Sequence, residues 1–203
     1  MRPNINRRHD AARRAFLLCA PLLFIFLNPD AAPTAATYGG GAATARDSSQ
    51  SGGPSSAQFE GTTGVTEKTR EGVAPAVLRS VRTARHGAFE RVVFEFDGDA
   101  PPPGYRVEYA ERPVRRCGSG RAVSVAGRSR LLVRLRPAQA HTEAGRPTVT
   151  QRERRLRLGA LREMKLICDF EADVEVVFGL TSAKRYRVLE LTNPTRLVVD
   201  IRR

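Results

Sequence analysis

Beyond residue 75, the side chains able to do chemistry are Cys117 and Cys168, His86 and His141, a scatter of carboxylates, and many arginines. A zinc-type site needs several ligands at workable spacing. Two lone histidines, each placed in a loop, do not supply one, so no metal or cofactor is expected. A serine nucleophile of the elbow type needs Gly-x-Ser-x-Gly, which the sequence lacks. Ser119 lies between Gly118 and Gly120 and reads as part of a hairpin turn. Glu95, Asp97, Glu108 and Glu111 are close enough in sequence to suggest the paired carboxylates of a glycoside hydrolase. Charges that alternate along a strand are, however, ordinarily its solvated side. No catalytic residue is assigned.

Arginine is the more informative type. Of 34 basic residues only Lys68, Lys165 and Lys184 are lysines. From Arg112 to Arg162 the arginines crowd together. Arg134 and Arg136 share one solvent face of a strand, where neighbouring guanidinium forks could engage phosphate or carboxylate. Arg91 and Arg196, on other strands, complete the set of candidate ligand contacts. The plainer reading is a solvated surface in an Arg-rich chain. The net charge is +13 and the isoelectric point about 11.0, which draws a protein toward polyanions. Aromatics make up only 6 % and Trp is absent, so platforms for stacking bases are scarce and nucleic acid is a poor fit.

The elements that position these residues begin after a long preamble. Residues 1–14 carry five arginines against one aspartate, and an apolar run from Ala15 to Leu27 follows. Small residues come next, between Ala31 and Thr37. This is the layout of a secretory signal peptide, assigned to residues 1–36, with an uncleaved signal anchor as the alternative. The run is short for a membrane span, which needs about 20 residues, so membrane contact is expected only through this segment if it is not cut. Cys19 lies mid-run after Leu17 and Leu18, a poor setting for a lipid-modified cysteine. Residues 37–75 are rich in Gly, Ser and Thr and have little to bury. They read as a flexible tether.

From Ala76 the pattern changes to alternation with period two. Val92, Phe94 and Phe96 alternate with Val93, Glu95 and Asp97. Leu131, Val133 and Leu135 form another such face, as do Val174, Val176, Phe178 and Leu180, and Leu197, Val199 and Ile201. Further strands fall near 77–84, 105–109, 162–170 and 184–191. Gly and Pro clusters separate them. One helical turn near 151–159 would fit. About eight short strands predict an all-β domain, an antiparallel two-sheet β-sandwich over residues 76–203. In an oxidising compartment Cys117 and Cys168 can pair. Cys117 sits in an Arg-rich turn. Cys168 reads as inward-facing with Leu166 and Phe170, where a buried inert thiol is the alternative.

Three stretches carry a resemblance: Glu90 to Gly98, Gly104 to Tyr109, and Arg187 to Ile201, the last with its Asn193-Pro194 turn before Arg196-Leu197-Val198-Val199-Asp200. These resemble the AMIN and AMIN-like domains of exported bacterial proteins, and Gly118-Ser119-Gly120 and Ala140 to Gly145 are similar to the AMIN-like branch. The resemblance implies a β-sandwich without catalytic activity that localises its host by contact with the cell wall. The function expected is therefore an exported binding module. Its partner would be a cell-wall polymer, peptidoglycan or an associated anionic polymer, or another exported envelope protein. The rivals are an envelope hydrolase using loop carboxylates and an assembly subunit that binds a partner through its sheet edges.

Overall fold

The computed structural model describes residues 59–110 and 113–203. The expected signal segment, residues 37–58 of the expected tether, and Glu111 lie outside them. Among the described residues there are eleven strands and no helix. In chain order they are β1 (Thr66–Lys68), β2 (Ala76–His86), β3 (Phe89–Phe96), β4 (Gly104–Tyr109), β5 (Ser129–Arg136), β6 (Ala138–Gln139), β7 (Glu153–Arg155), β8 (Leu161–Phe170), β9 (Asp173–Leu180), β10 (Tyr186–Leu191) and β11 (Arg196–Arg202). They form two sheets, ordered β1-β4-β5-β9-β8-β7 and β10-β11-β3-β2-β6. Every pairing is antiparallel except the short contact of β2 with β6. The expected all-β sandwich is what folds. The eight longer strands are those read from alternation, and β1, β6 and β7 are additions of two or three residues each.

Alternation fixes the register, because a slip of one residue would turn every apolar side chain outward. Val92, Phe94 and Phe96 of β3 and Leu197, Val199 and Ile201 of β11 meet Leu131, Val133 and Leu135 of β5 and the inner face of β9, all essentially inaccessible to water. Phe94 and Phe178 touch edge to face across the two sheets, 6.1 Å between centroids. Burying each such side chain contributes roughly 1.5–3 kcal/mol.

The helical turn considered near 151–159 is not formed. Residues Glu153–Arg155 are instead β7, an edge strand on β8. Charge complementarity accounts for this. Glu153 lies opposite Lys165 and Arg155 opposite Glu163, with ion pairs of 3.1 and 3.2 Å.

The described part of the expected tether is also structured. Thr62 bridges to Tyr186, and β1 pairs with β4, so residues 62–68 run from the edge of one sheet to the edge of the other. The buried Tyr186 holds this seam, its hydroxyl lying between the carbonyls of Gly64 and Val107. Gly61 passes so close to β10 that a Cβ there would lie 2.7 Å from the Tyr186 carbonyl oxygen. The segment carries few apolar residues, so backbone pairings, the Tyr186 bond and ion pairs to Glu190 and Arg106 tie it to the sandwich.

Candidate anion-binding surfaces

Arg134 and Arg136 stand on the outer face of β5. With Lys68, Arg70, Tyr105 and Arg106 they line a groove of about 530 Å³, which Glu67 and Glu71 also border. Two steps along one strand puts the two arginines about 7 Å apart, so the structure does bring this pair into one site. They are not equivalent within it. The Arg134 guanidinium is held by Glu175, with Nε 2.7 Å from Oε1, and lies 3.7 Å from Asp173. Burial works most strongly against its charge, but the Glu175 hydrogen bond and the nearby carboxylates of Glu175, Asp173 and Glu108 together outweigh it and keep the group more basic than usual. Arg136, at the end of β5, is exposed and has no side-chain partner among the described residues.

The other cations of the groove are paired. Arg106 bonds Glu67 at 2.7 Å and Glu108 at 2.8 Å. The Arg106 hydrogen bond holds the Glu108 carboxyl below its ordinary range, against the opposing effect of burial. Lys68 and Arg70 share Glu190, at 2.8 and 2.6 Å. Among the described residues the groove is thus a mosaic of mostly paired opposite charges with one uncommitted guanidinium, that of Arg136. Such a surface suits a polar ligand carrying carboxylates or phosphates among other groups better than a bare polyanion. Lys68 and Arg70 escaped the sequence reading because they lie in the stretch taken for a tether.

Arg91 and Arg196 lie on the opposite face of the molecule, on the outer side of the five-stranded sheet. They are not brought together. Across the ladder Arg91 faces Asp200 and Arg196 faces Glu95, four residues apart along β11. Arg91 grips the fully buried Asp200 with both arms of its fork, at 2.6 and 2.9 Å, and Arg187 adds contacts at 3.0 Å. Both guanidiniums lie over the Phe89 ring, at 5.2 and 5.4 Å. The side chains of this face were expected to be solvated. Val198 and Asp200 are instead buried, and Arg91 and Arg187 fold down over Asp200. Arg91 therefore has a partner already, and its role in the observed geometry is to close a face.

Cys117 and Cys168 form a disulfide, with Cα atoms 5.3 Å apart. It ties the long β4–β5 connection, an arm described over residues 113–128, to β8. Cys168 does not face inward as expected, and Phe170 is 59 % exposed. The cause is a bulge. Leu166 opposes Val176 but Cys168 opposes Glu175, so one extra residue, Ile167, turns the end of β8 over. Ile167 then joins Val114, Val125 and Val177 in a second small core beneath the arm. The same inversion points Asp169 inward. There it accepts from the Ala140 amide at 2.8 Å and from Arg152 at 2.6 Å, and contacts the His141 ring Nδ1 at 2.8 Å. Burial pushes the Asp169 carboxyl up, but these bonds together bring it below its usual value.

The carboxylates considered for hydrolysis are dispersed. Glu95 pairs with Arg82 and Asp97 with Arg79 on one sheet, whereas Glu108 pairs with Arg106 on the other. Among the described residues no group of three or more His, Cys, Asp or Glu could hold a metal ion. Sequence reasoning also missed Glu90, the buried carboxylate of β3. It accepts from the backbone amides of Gly159, Ala160 and Leu161. Its inward register follows from the alternation, but its partners are some 70 residues away in sequence.

No curated protein and no solved structure matches the chain. The AMIN-like domain family matches residues 76–203, the span that holds both sheets apart from β1. With that match, well over half of its length, the chain belongs to the AMIN-like domain family.

Proposed function

We propose that this protein is an exported, non-catalytic binding module that contacts the bacterial cell envelope, through peptidoglycan or an anionic polymer associated with it. Membership of a family found in exported, envelope-associated proteins supports the compartment. So do the Arg-rich start with its apolar run and a disulfide of the kind that persists in oxidising surroundings. The observation that carries the reading is the groove beside β1, β4 and β5, where Arg136 is uncommitted and Arg134, Arg106, Arg70 and Lys68 are pre-oriented by carboxylates. Fixed side chains lose little entropy when a ligand arrives. The dispersal of the carboxylates over two sheets speaks against the hydrolase.

Sedimentation of the purified protein with insoluble wall material, before and after stripping of its anionic polymer, tests the reading. Retention on both preparations identifies peptidoglycan, and retention lost on stripping identifies the polymer. A protein that stays in the supernatant with both would overturn the proposal and favour an exported protein partner.

A further inference from the structure

Away from the groove, the long strand β2 has an open side. Among the described residues β6 pairs with it only at Ala76 and Val77, and no further strand lies on that side as far as His86. Two side chains cap its carbonyls there. The Thr148 hydroxyl donates to Leu78 at 2.6 Å, and the Arg154 guanidinium, from β7 on the other sheet, donates to Val81 at 2.7 Å. Because the Val81 carbonyl faces the open edge, alternation along the strand turns the backbone groups of Thr83 and Arg85 the same way. Such a row of groups is a template for another strand. A second copy of this chain is disfavoured there, because pairing edge to edge brings Arg85 and Arg154 of the two chains together.

One end of this edge opens on a cavity of about 180 Å³, lined by Arg79, Ser80 and Val81 of β2 and by Thr148, Gln151 and Arg154. A site for a whole small ligand runs to roughly 300–1,000 Å³, so this one takes the end of a ligand rather than all of it. No carboxylate lines the cavity. Its two cations differ. Arg79 gives both arms of its fork to Asp97, at 2.6 Å each. Arg154 lies across the ladder from the buried Met164. Its contacts are the Val81 carbonyl and the Met164 sulfur, and among the described residues no carboxylate pairs with it. Burial pushes its guanidinium below the ordinary value. Arg154 Nε and the Ser80 hydroxyl are buried and have no hydrogen-bond partner among the described residues. Buried polar atoms are nearly always satisfied. Two unpaired donors on residues of one cavity therefore mark a place for an oxyanion.

We propose that β2 receives the C-terminal end of a partner protein as an added strand. The partner runs antiparallel to β2, pairs with the backbone of Thr83 and Arg85, and seats its terminal carboxylate on Arg154 Nε and the Ser80 hydroxyl. A chain terminus fits better than a strand that runs on, because the edge is blocked beyond the cavity. Thr148 takes the Leu78 carbonyl there, and β6 fills the positions beside Ala76 and Val77. In strand addition the main-chain bonds supply affinity, and a charge-assisted bond to the carboxylate fixes where the strand ends. The site and its partner are distinct from the groove and the wall polymer proposed for it.

The test selects octapeptides of random sequence, displayed with a free C-terminal carboxylate, on the full chain. Enriched peptides are then synthesised with an acid and with an amide terminus and titrated. The acid should bind at least about tenfold more tightly, as one charge-assisted hydrogen bond would give. Arg154→Gln should abolish that difference and Ser80→Ala should reduce it. Arg121→Ala, which removes an exposed arginine of the arm, should leave it unchanged. The amides of Thr83 and Arg85 should exchange more slowly with solvent when peptide is bound. If Arg154→Gln lowers the melting temperature, the acid-to-amide comparison and the exchange of these two amides on the parent chain decide. No enrichment, equal binding of acid and amide, or unprotected Thr83 and Arg85 would overturn the proposal. Arg154→Gln should be retained on wall material like the parent, so the envelope reading stands or falls separately.

Discussion

Asp169 shows how much a single inverted side chain can carry. It is a carboxylate on the core side of the sheet, and its bonds reach Ala140 and Arg152 in two separate loops. Because its folded-state pKa is lowered, the stability it contributes is present above its unfolded value, about 3.9. That contribution is lost as pH falls through the lower folded value. Asp169→Asn should therefore cost about 2 kcal/mol near neutral pH, with the difference from the parent shrinking toward strongly acidic pH. Urea midpoints across a pH series would check this, and a cost independent of pH would remove the charge from the explanation. Asp169 could not be found in the sequence. Its alternation with Cys168 and Phe170 predicts the opposite face, and only the bulge at Ile167 reverses it.

At the scale of elements, period-two alternation made the long strands legible because one face of each must be buried. The outer faces were less so. Val177 and Val198 look like ordinary outward valines, yet both are buried, Val177 under the arm. The arm itself has too few apolar residues to announce a core, and its attachment depends on Val114, Val125 and the disulfide. Closing a loop of 51 residues is worth about 4 kcal/mol in chain entropy. Replacing Cys117 and Cys168 with Ser should lower the urea midpoint accordingly, and an unchanged midpoint would mean the arm is held without the bond. The segment before β2 yields a sharper prediction. A fragment starting at residue 76 leaves the edges of β4 and β10 unpaired and the Tyr186 hydroxyl short of a partner. It should melt clearly below a fragment starting at residue 59, by several degrees for the roughly 1–3 kcal/mol at stake. Equal melting temperatures would show that residues 59–75 are dispensable.

For the molecule as a whole, composition announced positive charge but not its distribution. Several arginines on the two sheets are committed to carboxylates: Arg91 to Asp200, Arg82 to Glu95, Arg106 to Glu67 and Glu108, and Arg134 to Glu175. The exposed pairs among these, such as Arg82 with Glu95, add little stability, yet all of them fix where charge is balanced and where it is not. Among the candidate contacts read from the sequence, the structure leaves Arg136 the freest and engages Arg134 and Arg91. That sorting was illegible in the sequence, because each partner carboxylate lies on a different strand. The central claim is that the protein holds the envelope by salt-sensitive contacts from this groove. Retention on wall material measured across a salt series, for the parent and for Arg134→Ala with Arg136→Ala, tests it most directly. Screening should make parental retention fall as ionic strength rises toward about 0.2 M, and the double variant should be retained less at low salt and respond less to salt. Retention indifferent to both salt and the double substitution would contradict the account.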